Sequence, residues 1–338
     1  MSDPRLSLSE HLSDRTAAMD PWYAGGVAAL LTRLAEVAAA IEGELAHAAL
    51  RDRLGYAGDI NLSGDQVKKL DRWGHEIVLS ALRGTGACAA LVSEESPEPI
   101  ELREGIGPRG IVVCCDPVDG SSNLDVNGTV GTIFSFRPSH GQDPAGPAAL
   151  GAGTEQLAAG YVMYGPACVL VYTVGDGTHG FTLDRDRREF LLTHPDIRVP
   201  RRGKTYGINE GNFHSWHPGQ RALVEHLRTP DKASGRPYSL RYSGAMAADV
   251  HRTLLDGGLF MYPADMSDPA KPRPKLRLLY EVAPVAFLAE QAGGRASTGT
   301  ERVLDLRAKD YHERAAIIVG SADDVALAEE FHRSHSTR

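Results

Sequence analysis

The sequence predicts a mixed α/β fold divided into two lobes. Its 338 residues and 42% hydrophobic content suffice for a sizeable core. Apolar residues recur at threes and fours over residues 27–50 and 64–82, which is the helical period. Short β-branched runs bounded by Gly, Pro and Asp supply the strands, the sharpest at residues 111–115. A net charge of −8 argues against general nucleic-acid or anionic-membrane binding and leaves room for a local basic pocket. The N-terminus has no apolar signal core and the chain has no unbroken apolar run of about 18 residues, so the expectation is a soluble cytoplasmic protein.

Taken in order, residues 1–20 are polar, loosely ordered or helical at a subunit edge. A helix over 27–50 carries the stripe Leu30, Leu34, Val37, Ile41 and Leu45. Residues 51–63, with Gly55, Gly58, Asp59 and Asn61, have the makeup of a long mobile loop. The next helix spans 64–82, with Ser63 its candidate cap and Asp65 near its positive end. Asp71 falls on the apolar stripe of that helix, where a carboxylate costs several kcal/mol unless it is ion-paired, hydrogen-bonded or bound to metal. Gly84, Gly86 and Ala89 imitate a dinucleotide fingerprint but follow a helix instead of a strand, which excludes it. Leu91 to Ser93 read as a short strand ending in Glu94 and Glu95.

Further on, 129–136 is a strand and 139–153 a loop, and Tyr164-Gly165-Pro166 turns a hairpin. The change of character near Pro200 divides the chain into residues 1–200 and 201–338. The second lobe has helices over 218–227, 245–255 and from Pro284 to Gly293, and strands over 205–211 and 259–262, and it closes with a strand and a helix. None of Cys88, Cys114, Cys115 and Cys168 has zinc or redox spacing, so they read as packed thiols.

The chemistry centres on IVVCCDPVDGSSNLD, residues 111–125. A buried strand runs into what reads as a tight turn with two carboxylates, Asp116 and Asp119. Beyond them, the backbone amides of residues 120–123 and the hydroxyls of Ser121 and Ser122 can cradle a phosphate. Acids and anion donors in one loop are compatible only with a cation between them, and oxygen-only ligands suit magnesium or manganese.

The blocks GDQVKKLD, LVSEE, CDPVDGSSNLD, NEG, RYSGAMAADVHRTL, YP and KLRLLYE, in that order and spacing, closely resemble class I fructose-1,6-bisphosphatases, within the metal-dependent, lithium-sensitive sugar and inositol phosphatases. The resemblance implies a layered α-β-α-β-α sandwich and Mg-dependent hydrolysis of the 1-phosphate of fructose 1,6-bisphosphate, in gluconeogenesis or the Calvin cycle. It implies Glu94, Asp116, Asp119, Glu281 and the Val118 carbonyl as ligands of two or three magnesium ions, with manganese a substitute. Asp65, Asp71 and Glu95 match the acids that orient and deprotonate the attacking water. Asn209, Tyr242, Tyr262 and Lys275 match residues that bind the remote phosphate and the sugar. Ser121, Ser122, Met246 and Arg277 match further contacts around the reacting phosphate and sugar. Arg241 matches an arginine that crosses a subunit interface, which implies at least a dimer, and the family is usually a homotetramer.

Departures bear on regulation. Gly110 and Ile111 stand where AMP-inhibited members have a Lys-Tyr pair, and YAGGVAAL replaces their Thr-Gly-rich phosphate loop. AMP inhibition is therefore not expected, nor is thioredoxin control, because the cysteine-bearing insertion is absent. Asn212 replaces the tyrosine that usually follows NEG. Sedoheptulose-1,7-bisphosphatase, alone or as a second activity, is the alternative reading, and a silent sugar-phosphate sensor is the non-enzymatic one.

Overall fold

The computed structural model describes residues 5–60, 66–102, 109–140 and 150–335. In chain order the first part comprises α1 (Leu8–Arg15), α2 (Pro21–Leu45), β1 (Tyr56–Ile60), β2 (Gln66–Lys68), α3 (Lys69–Arg83), β3 (Cys88–Ser93), β4 (Ile100–Glu101), β5 (Arg109–Asp119), β6 (Val130–His140), β7 (Ala158–Tyr164), β8 (Cys168–Thr173), β9 (His179–Asp184) and β10 (Glu189–His194). Then follow β11 (Thr205–Gly207), α4 (Pro218–Arg228), β12 (Ser239–Leu240), α5 (Met246–Asp256), β13 (Leu259–Tyr262), α6 (Ala283–Gln291), β14 (Arg295–Ser297), β15 (Ile317–Gly320) and α7 (Ala322–Ser334). An eight-stranded sheet has the order β10-β9-β8-β7-β6-β5-β3-β4, and a five-stranded sheet the order β12-β11-β13-β15-β14. Only β3 and β5 run parallel in the first sheet, and β11 runs parallel to both its neighbours in the second.

Three apolar clusters set the layers. Leu30, Leu34 and Ile41 of α2 and Leu70 and Val78 of α3 pack on Ile111, Val113 and Cys115, one face of the first sheet. The opposite face, with Val112 and Cys114, packs on α5 and α6, which also contact Val319 and Phe260 of the second sheet. The far face of the second sheet is covered by α4 and α7 through Leu223, Val224, Val325 and Ala328. The result is an α-β-α-β-α sandwich. Cys114 and Cys115 point to opposite faces, as strand alternation requires, and all four thiols are buried and free.

Several local expectations change. Asp20 caps α2, accepting from the Trp22 amide at 2.9 Å, and Pro21 occupies its first turn, so the helix starts earlier than its apolar stripe suggests. By length and hydropathy α2 could cross a bilayer, but Val27, Leu30, Leu31 and Leu34 are buried against the sheet. Part of the loop expected over 51–63 is strand β1, which pairs with β2. The helix expected from residue 64 begins at Lys69, because Lys68 is extended and its amide donates to Asp71 Oδ2 at 2.9 Å. Asp65 and Ser63 lie outside the described residues, as does most of the 139–153 loop.

The turn expected at Asp116 is instead strand. β5 continues to Asp119 through an irregularity in its pairing with β6, and the chain reverses at Gly120, whose φ of 74° is left-handed. This bulge leaves the Asp119 carboxylate facing the N-terminus of α5. Gly131 on β6 permits the approach, since a Cβ there would sit 2.4 Å from Ala247 Cβ and 3.4 Å from Asp119 Oδ2. Gly131→Ala is expected to destabilise the fold by about 1–3 kcal/mol through overpacking, read as a lowered midpoint in thermal unfolding. An unchanged midpoint would show that α5 is not held tightly at this point.

Candidate functional site

Strand β5, the loop after β3, the first turn of α3 and the segment before α6 meet at a group of acids. Asp116, Asp119 and Glu281 are all buried and present carboxylate oxygens within 4.8 Å of one another. Each is held by the backbone. The Val118 amide donates to Asp116 Oδ1 at 3.0 Å. Met246 and Ala247, at the N-terminus of α5, donate to the two oxygens of Asp119 at 3.1 and 2.8 Å. Glu281 lies in a π-helical turn, Leu278–Val282, and the Arg277 amide donates to its Oε2 at 2.7 Å. Val118 is buried beside them in β5, and the Pro117 carbonyl accepts from Thr132 Oγ1 at 2.8 Å.

Glu94 and Glu95 follow β3. The Glu94 amide is held by the Cys115 carbonyl at 3.2 Å and the Glu95 amide by Ser93 Oγ at 3.3 Å. Asp71 is 6% exposed, and among the described residues it has no ion-pair partner and its Oδ1 has no hydrogen-bond partner. The structural ion pair is therefore not the reason for an acid on the stripe of α3.

Charge crowding follows directly. Burial raises Asp71 to about 6, against the pull of the Lys68 amide and Ser121. Burial, then Asp71 and Glu94, raises Glu95 to about 8. Burial raises Asp119 to about 7 despite the Ala247 and Met246 amides. Burial, followed by Glu94 and then the other acids, holds Asp116 and Glu281 well above the ordinary carboxylate range. An all-oxygen set of buried acids, one with an unpartnered oxygen, fits a hard divalent cation.

A second feature lies on the other sheet. A cleft of about 340 Å³ is lined by Asn212, Ser215, Trp216, Tyr262, Lys275 and Arg314, among others. Arg273 on its rim pairs with Asp265 at 2.8 Å, but among the described residues Lys275 and Arg314 have no carboxylate partner. Two uncompensated cations beside a tyrosine and amide and hydroxyl groups suit a phosphate. Tyr242 joins the two features: burial raises its hydroxyl pKa, and Tyr262, Asp249 and Asp119 add to the rise. A larger cleft, about 840 Å³, lies between the end of α2 and the β7–β8 hairpin, away from the acids.

The other expected site residues are placed less uniformly. Ser121 is half-buried next to Asp71 and Ser122 is exposed. Met246 is buried and contributes its amide to Asp119. Arg277 is buried, with Nη1 donating to the His312 carbonyl at 2.6 Å. Asn209 is exposed and accepts from the Gly211 amide, capping the short turn that carries Asn212 and Ser215. Arg241 is exposed, its Nη1 turned to the Leu240 carbonyl, and it does not line the cleft. Sequence reasoning missed Arg314, Thr132 and Asp249. Arg314 stands just before a buried strand, a cation position worth noticing. Asp249 accepts from the Ser243 amide at 2.9 Å and so shapes the turn after Tyr242.

The sequence model of the family described as "Fructose-1-6-bisphosphatase, N-terminal domain" matches residues 8–195, and its C-terminal counterpart matches residues 199–333. The chain belongs to the fructose-1,6-bisphosphatase family. Relatives named "Fructose-1,6-bisphosphatase class 1" include one from Oleidesulfovibrio alaskensis, 44% identical across 98% of this chain and 99% of its own length. Another, from Chlorobium chlorochromatii, is 46% identical across 91% of this chain and 92% of its own. The crystal structure of Leishmania major fructose-1,6-bisphosphatase in holo form matches with a TM-score of 0.89 and 33% identity, covering 98% of this chain and all of that one. The fructose-1,6-bisphosphatase family is metal-dependent, in keeping with the acidic cluster here.

Raised carboxylate pKa values have a sign that can be checked. These groups stabilise the cation-free protein fully below their ordinary values of 3.8 and 4.5, and the contribution is lost as pH rises through about 7 for Asp119 and about 8 for Glu95. In a chelator, denaturant unfolding is expected to show stability falling from about pH 4 to about pH 8 and levelling off above that, with magnesium restoring it at the upper end. A flat profile, or no effect of magnesium, would contradict this electrostatic account.

Proposed function

We propose that this chain hydrolyses the 1-phosphate of D-fructose 1,6-bisphosphate to fructose 6-phosphate and phosphate. The observation that carries the reading is the pairing of a buried acidic cluster on one sheet with a cation-lined cleft on the other. Two anionic groups of one substrate, one to react and one to anchor, fit that pairing. The names of the relatives support fructose bisphosphate over sedoheptulose bisphosphate.

Asp116, Asp119, Glu94, Glu281 and the Val118 carbonyl would hold magnesium, two or three ions in all, with manganese a substitute. Magnesium there would supply the positive charge that neutralises the phosphoryl oxygens and makes the phosphorus open to attack. Asp71 and Glu95, with Asp65, orient the attacking water and take its proton, and their raised pKa values suit groups that accept a proton near neutrality. Water oxygen bonds to phosphorus as the bond from phosphorus to the sugar oxygen breaks. Ser121 and Ser122 contact the reacting phosphate, and Met246 and Arg277 bound the sugar. Lys275, Arg314, Tyr262, Tyr242 and Asn209 bind the remote phosphate.

Residues 1–200 and 201–338 form two lobes of the enzyme. It works in the cytoplasm as a homotetramer, Arg241 of each subunit reaching its neighbour's remote phosphate, in gluconeogenesis or the Calvin cycle. AMP does not inhibit it. In support, α2 runs unbroken from Pro21, and a Cβ on Gly26 would sit 3.0 Å from Ile111 Cδ1, so helix and strand close the space between them.

Phosphate release in magnesium is expected with fructose 1,6-bisphosphate in preference to sedoheptulose 1,7-bisphosphate or inositol 1-phosphate, unchanged by AMP. Release from none of them would refute the enzymatic reading. Asp119→Asn is expected to lower turnover on the order of a thousandfold, about 4 kcal/mol of barrier, with circular dichroism unchanged; substantial residual activity would remove Asp119 from the metal site. Lys275→Met is expected to raise KM about tenfold while kcat holds, and an unchanged KM would move the remote phosphate elsewhere.

A further inference from the structure

We propose that His312 is a positioning residue that latches the Glu94–Glu95 loop to the Glu281 turn and thereby sets metal affinity. The inference rests on the phosphatase reading for the role of the cation. Its imidazole bridges two segments far apart in sequence. Nε2 lies 3.1 Å from the Pro97 carbonyl, three residues beyond Glu94, and Nδ1 lies 2.9 Å from the Tyr280 hydroxyl, one residue before Glu281. A carbonyl only accepts, so Nε2 carries the proton and Nδ1 of the neutral ring accepts from Tyr280.

Both ends of the bridge are anchored. Tyr280 is fully buried in the π-helical turn, so its hydroxyl direction is fixed by packing. The His312 backbone is fixed as well: its amide donates to Asp310 Oδ1 at 2.8 Å and its carbonyl accepts from Arg277 Nη1 at 2.6 Å. The flanking Glu313 carbonyl accepts from the Leu278 amide at 2.7 Å, and the Ala315 amide donates to the Leu276 carbonyl at 2.9 Å. The segment 310–315 is thus built onto the extended segment leading into Glu281, with an isolated bridge between Arg277 and Arg314. Across the bridge, the 94–97 turn is tied to the first sheet by the Glu94 and Ser96 amides.

Function enters through charge. Glu94 follows β3 and Glu281 lies in the π-helical turn before α6, and the two repel one another when ionised. Without a cation, at a pH where both are ionised, that repulsion pushes the 94–97 turn away from the π-helical turn. The imidazole opposes it with two neutral hydrogen bonds, keeping the carboxylates near binding distance before the cation arrives. Residues that orient metal ligands from behind typically change metal affinity by about 10–100-fold when removed.

The test is Mn²⁺ binding to the full chain followed by electron paramagnetic resonance, with thermal unfolding in parallel and KM measured at saturating metal. His312→Ala is expected to weaken Mn²⁺ binding by about tenfold or more, with KM for fructose 1,6-bisphosphate changed less than about twofold. His312→Gln, whose amide can donate to Pro97 and accept from Tyr280, is expected to recover most of the affinity. Tyr280→Phe, which removes one of the two bonds, should fall between. A lowered unfolding midpoint with unchanged Mn²⁺ affinity would reduce His312 to a structural residue and overturn the proposal, as would Gln binding no better than Ala. If the unaltered protein binds Mn²⁺ in this His312-dependent way yet releases no phosphate, the proposed reaction fails and the latch stands.

Discussion

Like charges held together in a dry interior govern this structure. Two carboxylates within 4.8 Å repel by about 3–4 kcal/mol at the effective dielectric of a protein site, and here three such groups share one space. Backbone amides recover about 1.5–3 kcal/mol for each hydrogen bond to a charged group. That is enough to orient Asp119 on the two amides of α5, but not to offset crowding and burial for the whole cluster. A metal ion held there would close the difference, and the local irregularities of the fold aim the acids' oxygens into that one space.

Those irregularities are distributed over elements that the core makes rigid. The β5 bulge needs β6 on one side and α5 on the other, and Gly131 lets them approach. The π-helical turn at Glu281 needs a partner for its start. Ser135 of β6 provides one, donating to the Leu279 carbonyl at 2.7 Å from inside the first sheet. Packing thus positions the acids, and the acids in turn dictate where packing must be irregular.

Most of the architecture was legible in the sequence because its signals were periodic. The stripe of α2, the hairpin at Tyr164 to Pro166 and the helix beginning at Met246 all have patterns that tertiary contacts reinforce. Asp71 was legible for a different reason: a charge on an apolar stripe is costly anywhere, so it marked a site before any contact was known. What failed were the places where the backbone answers to a distant partner. DPVDG has turn composition, yet pairing with β6 keeps it extended as far as Asp119. Lys68 sits in a helical pattern, but its amide binds Asp71 and the helix starts one residue later. Arg314 was passed over because its significance is a neighbour, Lys275, that no local spacing connects to it.

The acids and the cation-lined cleft stand on different sheets, and neither contains the gap between them. That gap is fixed by the shared layer of α5 and α6, where Val112 and Cys114 from one side and Phe260 and Val319 from the other meet. Under the proposed assignment of the cleft to the remote phosphate, that layer works as a caliper: the length of the bisphosphate that fits would be set by its thickness, and so by core side chains such as Val112 and Val319.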